Sequence, residues 1–276
     1  MKYQPSLQFE DKYNIGNKSI KEIRDLIERV EIDRNLIDAL YTDSRKTTTR
    51  IAGKCENKYK KNLRWQQKYS NFKNIENQIY NKGFENIFGF YVTGLWATAG
   101  PLTICSLKLN RFTEIKGIDY SNELTFKKRK KLYKKIKNNA EYLSIKHLNS
   151  NKIDDLGLKD AIKTGYKNLK DEIGKEIDLD PEKDYFLYFK YGFEDKNSKL
   201  VQSTKKKTYI LACASIIAKV ERENKMVELG NKYPSYNFEN NHGYITNEHR
   251  KVVREKGFTP VHRRSFDFEK KLKLDL

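Results

Sequence analysis

"GFYVTGLWATAGP", residues 89–101, carries no charge in a chain where 34% of residues are charged. Gly94 and Gly100 mark a bend, and Pro101 opens the next apolar run. With its flanks, "NIFGFYV" and "PLTICSLKLN", it reads as strand, turn and strand. "TEIKGID" reads as a further short strand, and "TFKKRKKLYKKIKNN" as a strongly basic helix. "EYLSIKHL" is a strand, and "LGLKDAIKTGYKNLKDEI" a helix with Leu158, Ile162, Tyr166 and Leu169 on one side. An aromatic strand, "YFLYFKYGF", precedes "LACASIIAKVERENKMVEL", a buried helix that turns polar. A meander of strands followed by alternating helix and strand predicts an α/β fold, a mixed sheet with helices packed on its faces.

Upstream of this, residues 1–83 read as a helical, basic extension, and 84–276 as the sheet domain. Ser19-x-x-Glu22 is a capping-box pattern, with Ile20, Ile23, Leu26, Ile27 and Val30 at helical spacing. A second helical stretch runs from about Asp43 to Lys82 and ends at Gly83. Its apolar positions alternate with Arg45, Lys46, Arg50, Lys54, Lys58, Lys60, Lys61, Arg64 and Lys68. One stripe packs; the other faces either phosphate or solvent.

The chain has 276 residues, with 56 Lys and Arg against 37 Asp and Glu, a net charge of +19. Such an excess favours a polyanionic partner, and for nucleic acid the gain is counterion release. A compositional bias toward lysine is the alternative. Cys55, Cys105 and Cys213 form no paired motif, so neither a disulfide framework nor a zinc ribbon is indicated. No apolar stretch has membrane-spanning length, and the expected location is cytoplasmic. His147, His242, His249 and His262 lack zinc spacing. His262 either orders the C-terminal segment or meets phosphate beside Arg263 and Arg264. No nucleotide-binding glycine loop is present.

Several stretches together resemble bacterial ribonuclease HII. "ASIIAKVERENKM" (214–226) is similar to that family's ASIxAKVxRDxxM helix, and "YPSYNFENNHGYIT" (233–246) to its YPxYxFxxHKGYxT loop. "GFTPVHRRSF" (257–266) resembles GxxxxHRxSF, and "GIDYSNEL" (117–124) the G-x-x-DSK-x-L segment. The opening turn looks like GVDEVGRGPLAGP. The resemblance implies a ribonuclease H-like fold with an N-terminal helical arm, and an enzyme that cuts RNA joined to or paired with DNA. Its chemistry rests on carboxylates that hold Mg²⁺ or Mn²⁺.

At the family's acidic positions this chain departs from the pattern. Tyr91 and Val92 stand where the first Asp-Glu pair belongs, Tyr120 at the Asp of DSK, and Tyr191 at the Asp that ends the aromatic strand. Only Glu223 remains acidic. Leu95 and Trp96 replace an Arg-Gly pair whose backbone approaches ribose, and a Trp there blocks that approach. Tyr244 matches a ribose-contacting tyrosine. Three readings follow. In the first, the protein binds hybrid or duplex phosphates without cutting and needs no cofactor. Its contacts are Lys127, Lys128, Arg129, Lys205, Lys206, Lys207, Tyr244, Arg263 and Arg264. In the second, Glu223 and a further carboxylate such as Asp119 form a variant Mg²⁺ or Mn²⁺ site that cleaves hybrids; the alternative for Glu223 is a helix-surface ion pair with Lys219 or nearby basic residues. In the third, Tyr91, Trp96, Tyr120 and Tyr191 anchor an acidic protein partner.

Overall fold

The computed structural model describes residues 12–194, 196–201 and 208–266, which divide into two compact units at Ser70/Asn71. In the first unit, α1 (Ile20–Arg29) begins with the anticipated capping box: Glu22 N–H donates to Ser19 Oγ at 3.3 Å and Ser19 N–H to Glu22 Oε2 at 2.7 Å. α2 (Arg34–Thr42), which the sequence reading missed, supplies Leu36, Ile37 and Leu40 to a core shared with Ile23 and with Ala52 and Cys55 of α3 (Lys46–Tyr80).

The division falls inside α3 rather than at residue 83, where composition shifts. Phe72, Lys73, Glu76 and Ile79 are buried within the second unit. Glu76 Oε1 accepts the Ile210 backbone N–H at 2.7 Å, satisfying a donor at the start of α6 (Tyr209–Lys232) that its own helix leaves open.

The second unit is built on a five-stranded sheet of order β3-β2-β1-β4-β5. The strands are β1 (Asn86–Thr93), β2 (Leu102–Leu109), β3 (Ala140–Leu148), β4 (Asp184–Phe189) and β5 (Ser198–Val201). β1–β2 and β2–β3 pair antiparallel; β1–β4 and β4–β5 pair parallel. The mixed sheet with helices is as the sequence predicts. "TEIKGID" forms no strand, however, and β5 had no signal strong enough to read.

Period-two alternation sorts the two faces. Phe88, Phe90, Val92, Ile104, Phe186 and Tyr188 meet Ile162, Tyr166 and Leu169 of α5 (Ser150–Glu176), which breaks at Gly157. α6 covers the other face, so closely that a Cβ on Gly89 would lie 2.7 Å from Ile210. α6 is buried without interruption from Tyr209 to Ala218, as its apolar run requires. α4 (Phe126–Asn139) packs on α6 through Leu132 and Ile136 and leaves its lysines outward. α7 (Phe238–Asn241) and α8 (Asn247–Lys256) complete the described unit. All three cysteines are buried and free, and no described helix is long and apolar enough to cross a membrane.

Candidate functional site

Parallel strands place ligand crevices at their carboxyl ends. The C-terminal ends of β1 and β4 open onto a cleft of about 310 Å³. Its lining comprises Tyr91 to Trp96, Ser121, Asn122, Phe189, Lys190, Lys219 and Tyr244. None of these residues bears a carboxylate.

The floor is aromatic. Tyr91 stacks on Phe189 with centroids 4.3 Å apart and planes at 11°, and Tyr120 lies 6.1 Å from Tyr91 and 6.4 Å from Phe189. Tyr91 and Tyr120 are only 5% and 1% exposed, so they are core and do not serve as surface anchors. Burial pushes the Tyr91 hydroxyl well above its ordinary range and that of Tyr120 up to about 12, so both stay neutral. The neighbour of Tyr91 is Phe189, not Tyr191. Parallel pairing sets Phe90 against Tyr188, which carries the next pair to the same face. Lys190 and Tyr191 then adopt left-handed backbone, with φ of 56° and 52°, and Tyr191 packs on the opposite, α5 side. The strand alternation in "YFLYF" carried this signal; the Gly192 landmark misdirected it.

Glu223 is buried rather than on the surface, and the basic residue it pairs with is Arg129. Arg129 Nη2 donates to Glu223 Oε1 at 2.6 Å, and Nη1 donates to the Leu124 carbonyl at 2.6 Å and the Ser121 carbonyl at 3.2 Å. Arg129 is therefore committed to structure rather than presented to phosphate. Glu223 Oε2 is buried without a hydrogen-bond partner among the described residues. Asp119 lies outside the cleft lining, and its Oδ1 accepts the Tyr120 N–H at 2.9 Å.

Two further arginines stand behind the turn. Arg263, expected on the surface, is 2% exposed. Its guanidinium donates to the carbonyls of Gly94 at 2.8 Å, Leu95 at 3.5 Å and Gly100 at 2.9 and 3.1 Å. Arg222 donates to the carbonyls of Pro101, His242 and Ala99 at 3.0, 3.0 and 3.3 Å. The turn that offers these carbonyls needs Gly94 and Gly100 at φ of 84° and 80°. Burial lowers both guanidinium pKa values, that of Arg263 to about 9, which leaves them charged at neutral pH. Burial, with Arg222 and Arg129 nearby, likewise lowers the Lys219 pKa, and Glu223 opposes that shift.

Mg²⁺ and Mn²⁺ want several hard oxygen ligands. The residues present do not fit such ions. One carboxylate, already ion-paired, stands among Arg129, Lys219 and Arg222, and no group of three His, Cys, Asp or Glu side chains converges among the described residues. The arrangement instead concentrates positive potential at an apolar-floored opening, which suits an anion.

The other anticipated contacts divide. Lys127, Lys128 and Arg264 are exposed, and Tyr244 lines the cleft with Lys219 Nζ 5.9 Å from its ring centroid. Lys205, Lys206 and Lys207 lie outside the described residues. Lys190 and Lys219 were not read as site residues; only tertiary pairing brings them to the rim.

His262 orders the C-terminal segment. Its Nδ1 accepts the Thr259 N–H at 2.9 Å, so its Nε2–H donates to His249 Nε2 at 3.0 Å, and His249 Nδ1–H donates to the Tyr244 carbonyl at 2.9 Å. This neutral relay ties Tyr244 to the terminal motif. Burial, and then the neighbouring His249, with which it would share a second proton only against repulsion, pushes the His262 pKa from 6.5 down to about 4. The unfolded chain therefore takes up the proton first. Stability is complete above about pH 6.5 and should fall by about 2 kcal/mol toward pH 4, after discounting for solvent screening. Thermal unfolding followed between those pH values, with a flat midpoint as the contrary result, checks this.

Comparison with known proteins adds the family context. The family model described as Ribonuclease HII matches residues 93–269, beginning just after Tyr91 and Val92. Ribonuclease HII of Clostridioides difficile is 31% identical over 255 residues, covering 91% of this chain and 97% of the relative. That of Caldicellulosiruptor bescii is 33% identical over 196 residues, covering 71% and 93%. Among solved structures, ribonuclease H2 from Pyrococcus horikoshii shares the fold, with a TM-score of 0.51 at 18% identity, over 68% of this chain and 97% of that one.

Proposed function

The chain belongs to the ribonuclease HII family, and from that premise we propose that it binds an RNA–DNA hybrid or duplex through backbone phosphates without cutting it. The observation that carries this reading is the cleft floor: stacked Tyr91 and Phe189 beside Tyr120, with Glu223 neutralised by Arg129. A cluster of carboxylates repels itself unless cations occupy it. Aromatic rings in its place remove that repulsion and bury apolar surface, about 2–3 kcal/mol for each ring. The fold thus stands without ions, and what faces the solvent is cationic. Lys190 and Lys219 supply charge at the cleft, and Lys127 and Lys128 extend it along α4.

The test is a labelled hybrid titrated in EDTA and then incubated with Mg²⁺ or Mn²⁺. Binding is expected in EDTA, independent of sequence, with log affinity falling against log salt at a slope that reports roughly three to five phosphates. No product is expected with either ion. Metal-dependent product that disappears in Glu223→Gln would overturn the proposal in favour of a variant nuclease site.

A further inference from the structure

Trp96 stands out at the cleft. It is 56% exposed, whereas its neighbours Leu95 and Ala97 are 8% and 0% exposed. We propose that the cleft takes one unpaired nucleotide, with its base stacked on the Trp96 indole and its phosphate held by Lys219 and Lys190. This rests on the nucleic-acid reading above and adds what the cleft recognises.

Three observations converge. First, Trp96 is displayed on a fixed frame. The carbonyls on either side of it, from Gly94 to Pro101, are held by the buried guanidinium groups of Arg222 and Arg263. The Thr98 and Ala99 N–H groups donate to the Gly243 carbonyl at 2.8 and 3.1 Å. A ring presented this way loses little freedom on binding, so most of its contact energy appears as affinity. Second, the rim combines a π face with cations. Trp96 and Tyr244 share the cleft with Lys190 and Lys219. Aromatic platforms beside positive groups are how proteins hold unpaired strands, because every base offers a face to stack. Third, the dimensions suit one small ligand. A volume of about 310 Å³ lies at the lower end of the range for small-molecule pockets. The Tyr91–Phe189 stack closes it below, and the exposed indole stands in its lining. A nucleotide that has left the stack enters such a space; a paired one does not.

The chain has two tryptophans, Trp65 and Trp96. Trp65→Phe therefore leaves the cleft indole as the only one, and its fluorescence reports stacking. That protein is titrated in EDTA at low salt with a fully paired hybrid, with the same hybrid carrying one bulged nucleotide, and with the bulge made abasic. The bulged probe is expected to bind about tenfold tighter than the paired one and to quench the indole. The abasic probe should lose both the quenching and the advantage, and Trp96→Ala should abolish the preference between bulged and paired probes. Equal affinity for the three probes without quenching would overturn this inference while leaving duplex binding in place. Quenching by the abasic probe equal to that by the bulge would overturn it too, because phosphate alone would then suffice. Failure of every probe to bind would overturn the nucleic-acid reading itself.

Discussion

Arg263→Ala is expected to destabilise the sheet-bearing unit by about 3–5 kcal/mol, with a matching fall in the urea midpoint. The side chain is 2% exposed and donates to the carbonyls of Gly94, Leu95 and Gly100. Truncation leaves those acceptors buried without a donor and opens a hole beside Arg222. Arg263→Lys should recover little, since an ammonium cannot reproduce the planar fork that reaches separate carbonyls. A surface phosphate contact behaves oppositely. Its removal leaves stability within about 0.5 kcal/mol and costs affinity, as expected for the exposed neighbour Arg264. An unchanged midpoint in Arg263→Ala would show that the turn does not depend on this guanidinium.

The second large effect is expected at Glu223. Glu223→Gln keeps an oxygen for Arg129 Nη2 but removes the charge that balances Arg129 and offsets Lys219 and Arg222. Stability should drop by about 2–3 kcal/mol, less than full truncation of a buried ion pair would cost. Nucleic-acid affinity at low ionic strength should rise by about fivefold, because a negative charge close to the cleft has gone. The gain should shrink as salt is added. Were Glu223 a cation ligand, the same substitution would abolish metal-dependent cleavage. Unfolding curves paired with cleavage assays in Mg²⁺ or Mn²⁺ therefore separate the two roles with one variant.

These effects bear on what the aromatic replacements do. Tyr91 and Phe189 stack on the α6 face of the sheet with Tyr120 tilted against both, and the adjoining cations meet backbone carbonyls and a single carboxylate. The floor is maintained by packing, and the charge above it is unbalanced in favour of an anion.

Much of the fold was legible in residue order. The amphipathic stretch around Ile162 carries a helical period, and the apolar runs at 86–93, 102–109 and 209–218 are told apart by their length, residue types and bounding turn signals. The loss of acid from residues 86–113 was equally plain, since composition alone excludes a carboxylate there. Local pattern did not reveal which aromatic meets Tyr91, or which cations face outward. Phe189 is selected by the parallel register of β1 and β4, whose paired residues are 98 positions apart. Arg129 and Arg263 looked like exposed phosphate contacts because they sit in basic, polar segments. Arg263 is drawn inside by carbonyls 163 to 169 residues distant along the chain. Those acceptors exist only once the glycine turn has folded against α6. A guanidinium is buried wherever such acceptors converge, and that convergence is a property of the assembled fold rather than of any segment.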